Sequence, residues 1–381
     1  MGYNKPVICI CGGGNLGTVI AGVSAANGYC VNILTSHPSQ WSENIEVKDN
    51  LGKRFVGKIK VISANAADVI PQSDIILLCL PGSVINDELI KIKPYLSPSA
   101  VIGSVFCCTG FFISAISVLG IEARLFGFQR VPFIARLENY GHSATLLDYR
   151  KVLHCAFWGI DSSEQCILVD ELSKILVTPI NVLSHALQVT LTNSNPILHP
   201  SRLYSLFRNF DPERPFVSVP NFYEDWNDDS SQTLIDCDEE FQTMLNRLGL
   251  ASDKIPPLLD YYESHDAQSL TRKITSIKSL KGLKAPMIPV PKGMAPDWGN
   301  RYFAEDIPYG MLLIKLVCQE VGVPTPHIDC VIQWYQQQVG KKYLDRDRVA
   351  DSEDVARIAC LNIEIIRKMI LSAKNVLQCR S

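Results

Sequence analysis

A five-residue apolar run that stops on three glycines constrains this chain more than any other feature. Val7-Ile8-Cys9-Ile10-Cys11 carries no charged or strongly polar side chain, so it reads as a buried strand. Gly12-Gly13-Gly14-Asn15-Leu16-Gly17 follows at once and fits GxGxxG through Gly12, Gly14 and Gly17. In that spacing the first glycine permits a tight strand-to-helix turn, the second lets a pyrophosphate approach the backbone, and the third lets helix and strand pack closely. Small and apolar residues from about Asn15 to Asn27 predict a helix, and Tyr29 to Thr35 predicts a second strand. The resulting βαβ unit has short connections, and backbone N–H groups at its helix start face the phosphates of a ligand. A glycine-rich turn that binds nothing is the alternative. Placement directly after the chain's first strand favours a dinucleotide, with Asn15 and Leu16 completing the loop.

Further strands are predicted at 59–62, 74–80, 100–105, 125–128 and 151–158, with helix-length segments between the earlier ones. This is the pattern of an α/β fold, a mostly parallel Rossmann sheet covered by helices, and it defines a first domain over residues 1–180. Beyond it the pattern changes. Residues 182–193, 236–248, 308–321, 327–338 and 351–377 carry apolar side chains at helical spacing, and β-branched runs become scarce. Residues 181–381 therefore read as a mainly helical second domain, with Lys281 to Gly299 as a Pro- and Gly-rich connector.

Composition narrows the partners. Lys and Arg number 36 against 39 Asp and Glu, a formal net charge of −3, with no long block of one sign. Neither nucleic acid nor an anionic membrane is given a bulk electrostatic handle. No run reaches 18 consecutive apolar residues, and the first residues lack the basic and apolar regions of a secretory signal. The 13 cysteines lie largely within apolar runs, as expected of buried free thiols in a cytoplasmic protein. A homodimer is a further expectation.

The end of the second predicted strand bears on cofactor choice. An NAD site normally places an Asp or Glu there to accept from the adenosine ribose. This chain has Thr35-Ser36-His37-Pro38-Ser39-Gln40-Trp41, with no acid before Glu43. A 2′-phosphate would meet no carboxylate repulsion, and Thr35, Ser36 or His37 could donate to it, so NAD or NADP is expected with a mild preference for NADP. No arginine stands there as a bidentate clamp. Pro81, after another predicted strand, is placed to line the same crevice, although an ordinary strand-to-helix turn explains it equally well.

Two later segments carry candidate chemistry. His199 lies in Asn195-Pro196-Ile197-Leu198-His199-Pro200, where the prolines restrict the backbone and Asn195 stands one helical turn away. A positioned histidine exchanges protons near neutral pH, but a structural histidine is an equal reading of this segment alone. Asn300-Arg301-Tyr302-Phe303-Ala304-Glu305-Asp306-Ile307-Pro308-Tyr309-Gly310 offers Arg301 for a carboxylate and Asp306 or Glu305 to orient a histidine. The alternative makes Asp306 an N-cap for a helix starting near Pro308. Trp298, Tyr302 and Arg136 are further candidates for lining a substrate site. The histidines show no paired metal-ligand spacing and no HExxH, so no metal is expected.

Taken in order, the glycine loop, the 195–200 segment, Glu305-Asp306-Ile307-Pro308-Tyr309-Gly310 and Gly322-Val323-Pro324-Thr325-Pro326-His327-Ile328-Asp329 resemble the octopine/nopaline, or opine, dehydrogenase family. The resemblance spans nearly the whole chain, and the later segments carry its specificity. It implies a Rossmann domain followed by a helical substrate domain, with reaction in the cleft between them. It also implies reductive joining of an amino acid's amine to an α-keto acid such as pyruvate, through an imine. On that reading His199 is the catalytic acid/base and Asp306 its carboxylate partner, Asn195 and Arg301 bind substrate, and Gly12, Gly14 and Gly17 bind the dinucleotide. Two alternatives stand beside it: another two-domain dehydrogenase acting directly on a 2-keto or hydroxy acid, and a noncatalytic dinucleotide-sensing protein.

Overall fold

The helix that follows the glycines, α1 (Asn15–Ala26), is buried without a break from Gly17 to Ser24. A helix lying on one sheet keeps its outer face in water, so continuous burial demands a second layer. The computed structural model, which describes residues 5–378, provides one. In chain order the strands of this unit are β1 (Val7–Cys11), β2 (Cys30–Leu34), β3 (Asn44–Asp49), β4 (Arg54–Lys58), β5 (Val61–Ser63), β6 (Ile75–Leu78), β7 (Val101–Ser104), β8 (Leu125–Phe128), β9 (Phe133–Asn139), β10 (Ser143–Tyr149), β11 (Leu153–Trp158) and β12 (Ile180–Val182). Eight form one sheet in the order β12-β11-β8-β7-β6-β1-β2-β5, and four form a second in the order β4-β3-β10-β9.

In the large sheet β1 pairs in parallel with β2 and with β6, so strand order reverses at β1. The turns leaving β1 and β6 consequently flank the crevice where doubly wound folds take their ligands. This is the expected Rossmann core. β11 runs antiparallel to β8, which makes that end of the sheet mixed. The predicted strand at 59–62 is realised as the shorter β5, at Val61–Ser63, paired with β2.

The second sheet was not anticipated. Its inward side chains alternate with outward charged or polar ones, as in Ile45 and Val47 on β3. The sheet lies on α1 so closely that a Cβ on Gly22 would fall 2.8 Å from Val47 Cγ2, and one on Gly57 would fall 2.4 Å from the Gly22 carbonyl oxygen. The small residues of α1 are therefore the consequence of two-sided packing.

The chain divides into two units, the first running to Cys107 and then from Phe111 to Thr190, the second comprising Cys108–Gly110 and the residues from Leu191 on. The helix expected over 182–193 is not formed. Val182 ends β12 and only Leu187–Thr190 is helical. The Gln188 side-chain oxygen accepts from the N–H and hydroxyl of Ser184 and from the N–H of His185, which holds this backbone in a turn.

The second unit is mainly helical, with long helices at Asn195–Phe207, Asp228–Leu248, Leu312–Val321, Pro326–Val339 and Ile363–Gln378. The helix predicted from residue 236 starts two turns earlier, where the Asn227 side chain caps it through Ser230 N–H. Within the expected connector 281–299 lies a hairpin, Met287–Val290 with Gly293–Pro296. The helix expected over 351–377 is broken into Glu353–Ala356, a short turn at Ala359–Leu361 and Ile363–Gln378. Buried ion pairing knits the unit. Lys315 Nζ donates to Thr325 Oγ1 at 2.8 Å and lies 2.7 Å from Asp329 Oδ1. Glu240 accepts from the backbone N–H groups of His327 and Ile328 and so caps the helix Pro326–Val339 from outside. The Gly322–Asp329 motif thus has a structural use.

Among the described residues no helix is long and apolar enough to cross a membrane. The described cysteines are free thiols, most of them buried, and Cys379 lies outside the described residues.

Candidate active site

In the first unit the site is made of backbone. Gly12 adopts φ +106°, and a Cβ there would stand 2.8 Å from the Cys79 carbonyl oxygen. Gly17 has no room either, since its Cβ would lie 2.0 Å from the Gly12 oxygen. Gly14, the N-cap of α1, is the opposite case: nothing lies within 4 Å of where its Cβ would be. The turn is closed by packing at two glycines and open at the one between them, which fits an anion resting on the helix N-terminus. Asn15 is exposed, its Oδ1 accepting from Leu137 N–H of β9 at 2.7 Å, and Leu16 is half-buried.

Thr35 is buried, and its hydroxyl bonds to Tyr140 OH at 3.1 Å and accepts from His37 N–H. Ser36 and His37 are exposed beside it. Tyr140 and Trp41, which sequence reasoning missed, cover Gly13: a Cβ there would be 2.7 Å from both Trp41 Cζ2 and Tyr140 OH. Pro81 is exposed as the N-cap of the helix Gly82–Ile92.

In the second unit the site is made of side chains. His199 and Asp306 are buried, at 5% and 7% exposure, and His199 Nδ1 lies 2.7 Å from Asp306 Oδ2. The three prolines and Gly310 of the two segments help to bring them together. Pro196 opens the helix Asn195–Phe207, and Pro200 sits inside it, where it cannot donate to the carbonyl four residues back. Asp306 begins a wider π-helical turn, Asp306–Met311, containing Pro308. Gly310 meets Pro196 so closely that a Cβ would fall 2.8 Å from Pro196 Cβ. Asp306 is therefore not the N-cap of the helix that follows; its carboxylate is aimed at the histidine.

A carboxylate can only accept, so Nδ1 carries the proton of that bond. On the other side, His199 Nε2 lies 3.0 Å from Tyr223 OH. Burial pushes the Tyr223 phenol far up, which keeps it protonated. The ring of Tyr302 stacks on the imidazole, centroids 4.1 Å apart and planes 21° apart, and Phe222 meets it edge-on. Arg301 is exposed, with its guanidinium 5.5 Å from the Tyr302 ring centroid, and Asn195 is exposed at the first turn of the histidine's helix. Trp298 packs instead among Phe207, Phe303 and Trp334, and Arg136 is exposed on β9.

Tyr223 stands in a loop that a buried arginine holds. Arg202, on the histidine's helix, donates to the Phe222 carbonyl at 3.0 Å, the Asp225 carbonyl at 2.7 Å and Ser230 Oγ at 2.9 Å. Burial lowers this guanidinium to about 10. No periodicity marks Arg202 or Tyr223, and the only signal was a charged residue on the apolar side of a short helix.

Comparison with known proteins covers both units. The model described as NAD/NADP octopine/nopaline dehydrogenase, alpha-helical domain, matches residues 182–339. Octopine dehydrogenase of Mizuhopecten yessoensis is 29% identical over 384 residues, 93% of this chain and 94% of that protein. Octopine dehydrogenase solved with NADH and L-arginine, and again with NADH and pyruvate, matches at TM-scores of 0.83 and 0.81, with 26% identity over 94% of this chain and 95% of the other. A yersinopine dehydrogenase with NADP+ bound shares the fold at 14% identity and a TM-score of 0.71, over 96% of this chain and 99% of its own. A Rossmann turn shaped for a dinucleotide, with a second unit of this kind, defines an NAD(P)-dependent oxidoreductase. The chain is similar along nearly its whole length to octopine dehydrogenases, and its residues 182–339 match the helical domain of the octopine/nopaline dehydrogenases.

Proposed function

We propose that the protein is an NAD(P)H-dependent opine dehydrogenase that joins the amine of an amino acid to an α-keto acid such as pyruvate. The observation that carries the reading is the buried His199–Asp306 pair, 2.7 Å apart, in a chain similar along nearly its full length to octopine dehydrogenase. The amine adds to the ketone and water leaves, giving a C=N bond. Bound dinucleotide supplies the hydride that reduces it, and the product is a secondary amine.

His199 manages the protons of addition and dehydration through Nε2, the nitrogen that Asp306 leaves free. Asp306 fixes the ring's orientation and tautomer and stabilises its charged form. Arg301 is exposed and its planar fork suits a substrate carboxylate, while Asn195 lies one turn from His199 as a polar contact. On the nucleotide side, Gly12, Gly14 and Gly17 shape the turn, Asn15 and Leu16 begin the helix that meets the phosphates, and Pro81 borders the crevice.

The cofactor is NAD or NADP. The acid-free stretch at Thr35, Ser36 and His37 suits a 2′-phosphate, but relatives carry either cofactor, and separate calorimetric titrations with NADH and NADPH decide between them. The free thiols suit a cytoplasmic protein, and a homodimer is tested by sedimentation.

A matrix of keto acids and amines, read by cofactor absorbance and product mass, tests the reaction. The expected product has the mass of both reactants minus water plus two hydrogens. Equal keto-acid reduction without amine, giving only a hydroxy acid, would overturn the assignment in favour of a direct 2-keto acid dehydrogenase.

A further inference from the structure

The second nitrogen of the histidine is already occupied. Nδ1 donates to Asp306, and Nε2 sits 3.0 Å from the Tyr223 hydroxyl, all three side chains being buried. A neutral imidazole with its proton on Nδ1 has a lone pair on Nε2, so the only complementary arrangement is for the phenol to donate into it. Burial reinforces this direction, because a desolvated phenol keeps its proton.

We propose that Tyr223 is a positioning residue: it caps His199 Nε2 in the substrate-free protein, so that Asp306 and Tyr223 together dictate which nitrogen bears the proton. The inference rests on reading His199 as the acid/base. Tyr223 O–H and a substrate proton would compete for one lone pair. Substrate entry then exchanges one hydrogen bond for another instead of uncovering a bare nitrogen, and no proton is lost or gained in the exchange. Arg202 makes the cap rigid by holding the carbonyls of Phe222 and Asp225 on either side of Tyr223.

The titratable and charged groups around the imidazole are few. Asp306 faces it from the π-helical turn, Tyr302 stacks on its face, and Tyr223 meets Nε2. Arg301 and Tyr262 act on Tyr223 from slightly further away. Of these, only Tyr223 donates to a ring nitrogen, and that bond favours the neutral ring. Where the phenol is held as a donor its removal favours the protonated ring, whereas a hydroxyl that turned to accept from a protonated Nε2–H would give the opposite sign, so the direction of the displacement tests the cap.

The test is a titration of the His199 ring nitrogens by 15N NMR on the whole, substrate-free protein, for wild type, Tyr223→Phe and a 3-fluorotyrosine at position 223. Losing one neutral hydrogen bond should move the imidazole's titration midpoint up by about half a unit to one unit. The fluorinated phenol is a stronger donor and should move it down. Displacements in these two directions support the cap, since a residue that only fills space would give neither pattern. Midpoints equal to wild type in both variants, or displaced with the opposite signs, with dinucleotide binding and melting showing them folded, would overturn it. The acid limb of kcat/KM should shift with the NMR midpoint. NMR displacement without that kinetic shift would leave the cap standing and remove His199 from the acid/base role.

Discussion

The two units build their candidate sites from different material. In the first, the glycine turn proposed for the dinucleotide is backbone, and its demands fall on absent side chains: Gly12 and Gly17 have no space for a Cβ, while Gly14 leaves its Cβ position open. In the second, the site is a chain of side-chain hydrogen bonds, Asp306 to His199 to Tyr223, supported by a buried Arg202. Backbone sites are specified by local spacing and fail through steric clash. Side-chain sites are specified by tertiary approach and fail through lost partners.

The sharpest break between the two comes from removing the histidine. His199→Ala should lower turnover by about 10²- to 10⁴-fold, the range for a positioned acid/base, and leave calorimetric dinucleotide binding unchanged. Equal losses in binding and turnover would mean that the units do not divide the labour as described. The reciprocal experiment is Gly17→Ala. A Cβ 2.0 Å from a backbone oxygen cannot be relieved by a side-chain rotation, so the first unit should lose dinucleotide binding and about 3 kcal/mol or more of stability. The His199 ring signals should stay where they are.

This contrast also explains what could be read from the chain beforehand. The glycine turn was legible because strand, spacing and helix are contiguous. His199 and Asp306 stand out only as members of ordered segments resembling a family, since each has a bland local reading, and a π-helical turn containing Pro308 does not announce which way Asp306 will point. The four-stranded sheet was missed because its strands carry charged or polar residues on one face and are paired across the chain, β3 with β10 in parallel. The hairpin at Met287–Val290 and Gly293–Pro296 was hidden by Pro289 and Pro296, which argue against strands unless they lie at an edge. Tyr223 was invisible because a loop has no period and its position depends on Arg202.

Arg202 offers a smaller and more selective perturbation. Its fork spans two carbonyls and a hydroxyl that an ammonium on a flexible stem cannot reach together. Arg202→Lys should cost the second unit about 2 kcal/mol in denaturant unfolding and weaken the Tyr223 contact, seen as a displaced Nε2 resonance with the Nδ1–Asp306 bond retained. An unchanged Nε2 resonance would show that the loop holds Tyr223 without the arginine.

The finest difference is the response of each unit to acid. In the first, burial pulls His185 from 6.5 down to about 4, and its Nε2 has no hydrogen-bond partner. Between those values the unfolded chain binds a proton that the folded unit refuses, so His185 makes the first unit less stable as pH falls from about 6.5 to about 4. In the second, burial lifts Asp238 from 3.8 to about 6, although Leu258 N–H and the Asn193 amide donate to it. Here the folded unit keeps a proton that the unfolded chain releases, so Asp238 makes the second unit less stable as pH rises from about 3.8 to about 6. Each slope is at most about 1.4 kcal/mol per pH unit, and the two oppose one another where they overlap. Glu240 and Asp329, also lifted by burial, add to the second slope, whereas Glu88 offsets part of the first. Whole-protein melting will therefore understate both effects, and hydrogen exchange followed separately in β11 and in the helix Asp228–Leu248 should resolve them. His185→Gln should flatten the response of β11 alone, and Asp238→Asn that of the helix alone. If each variant leaves its own unit's slope intact, burial of these two groups is not what sets the acid response.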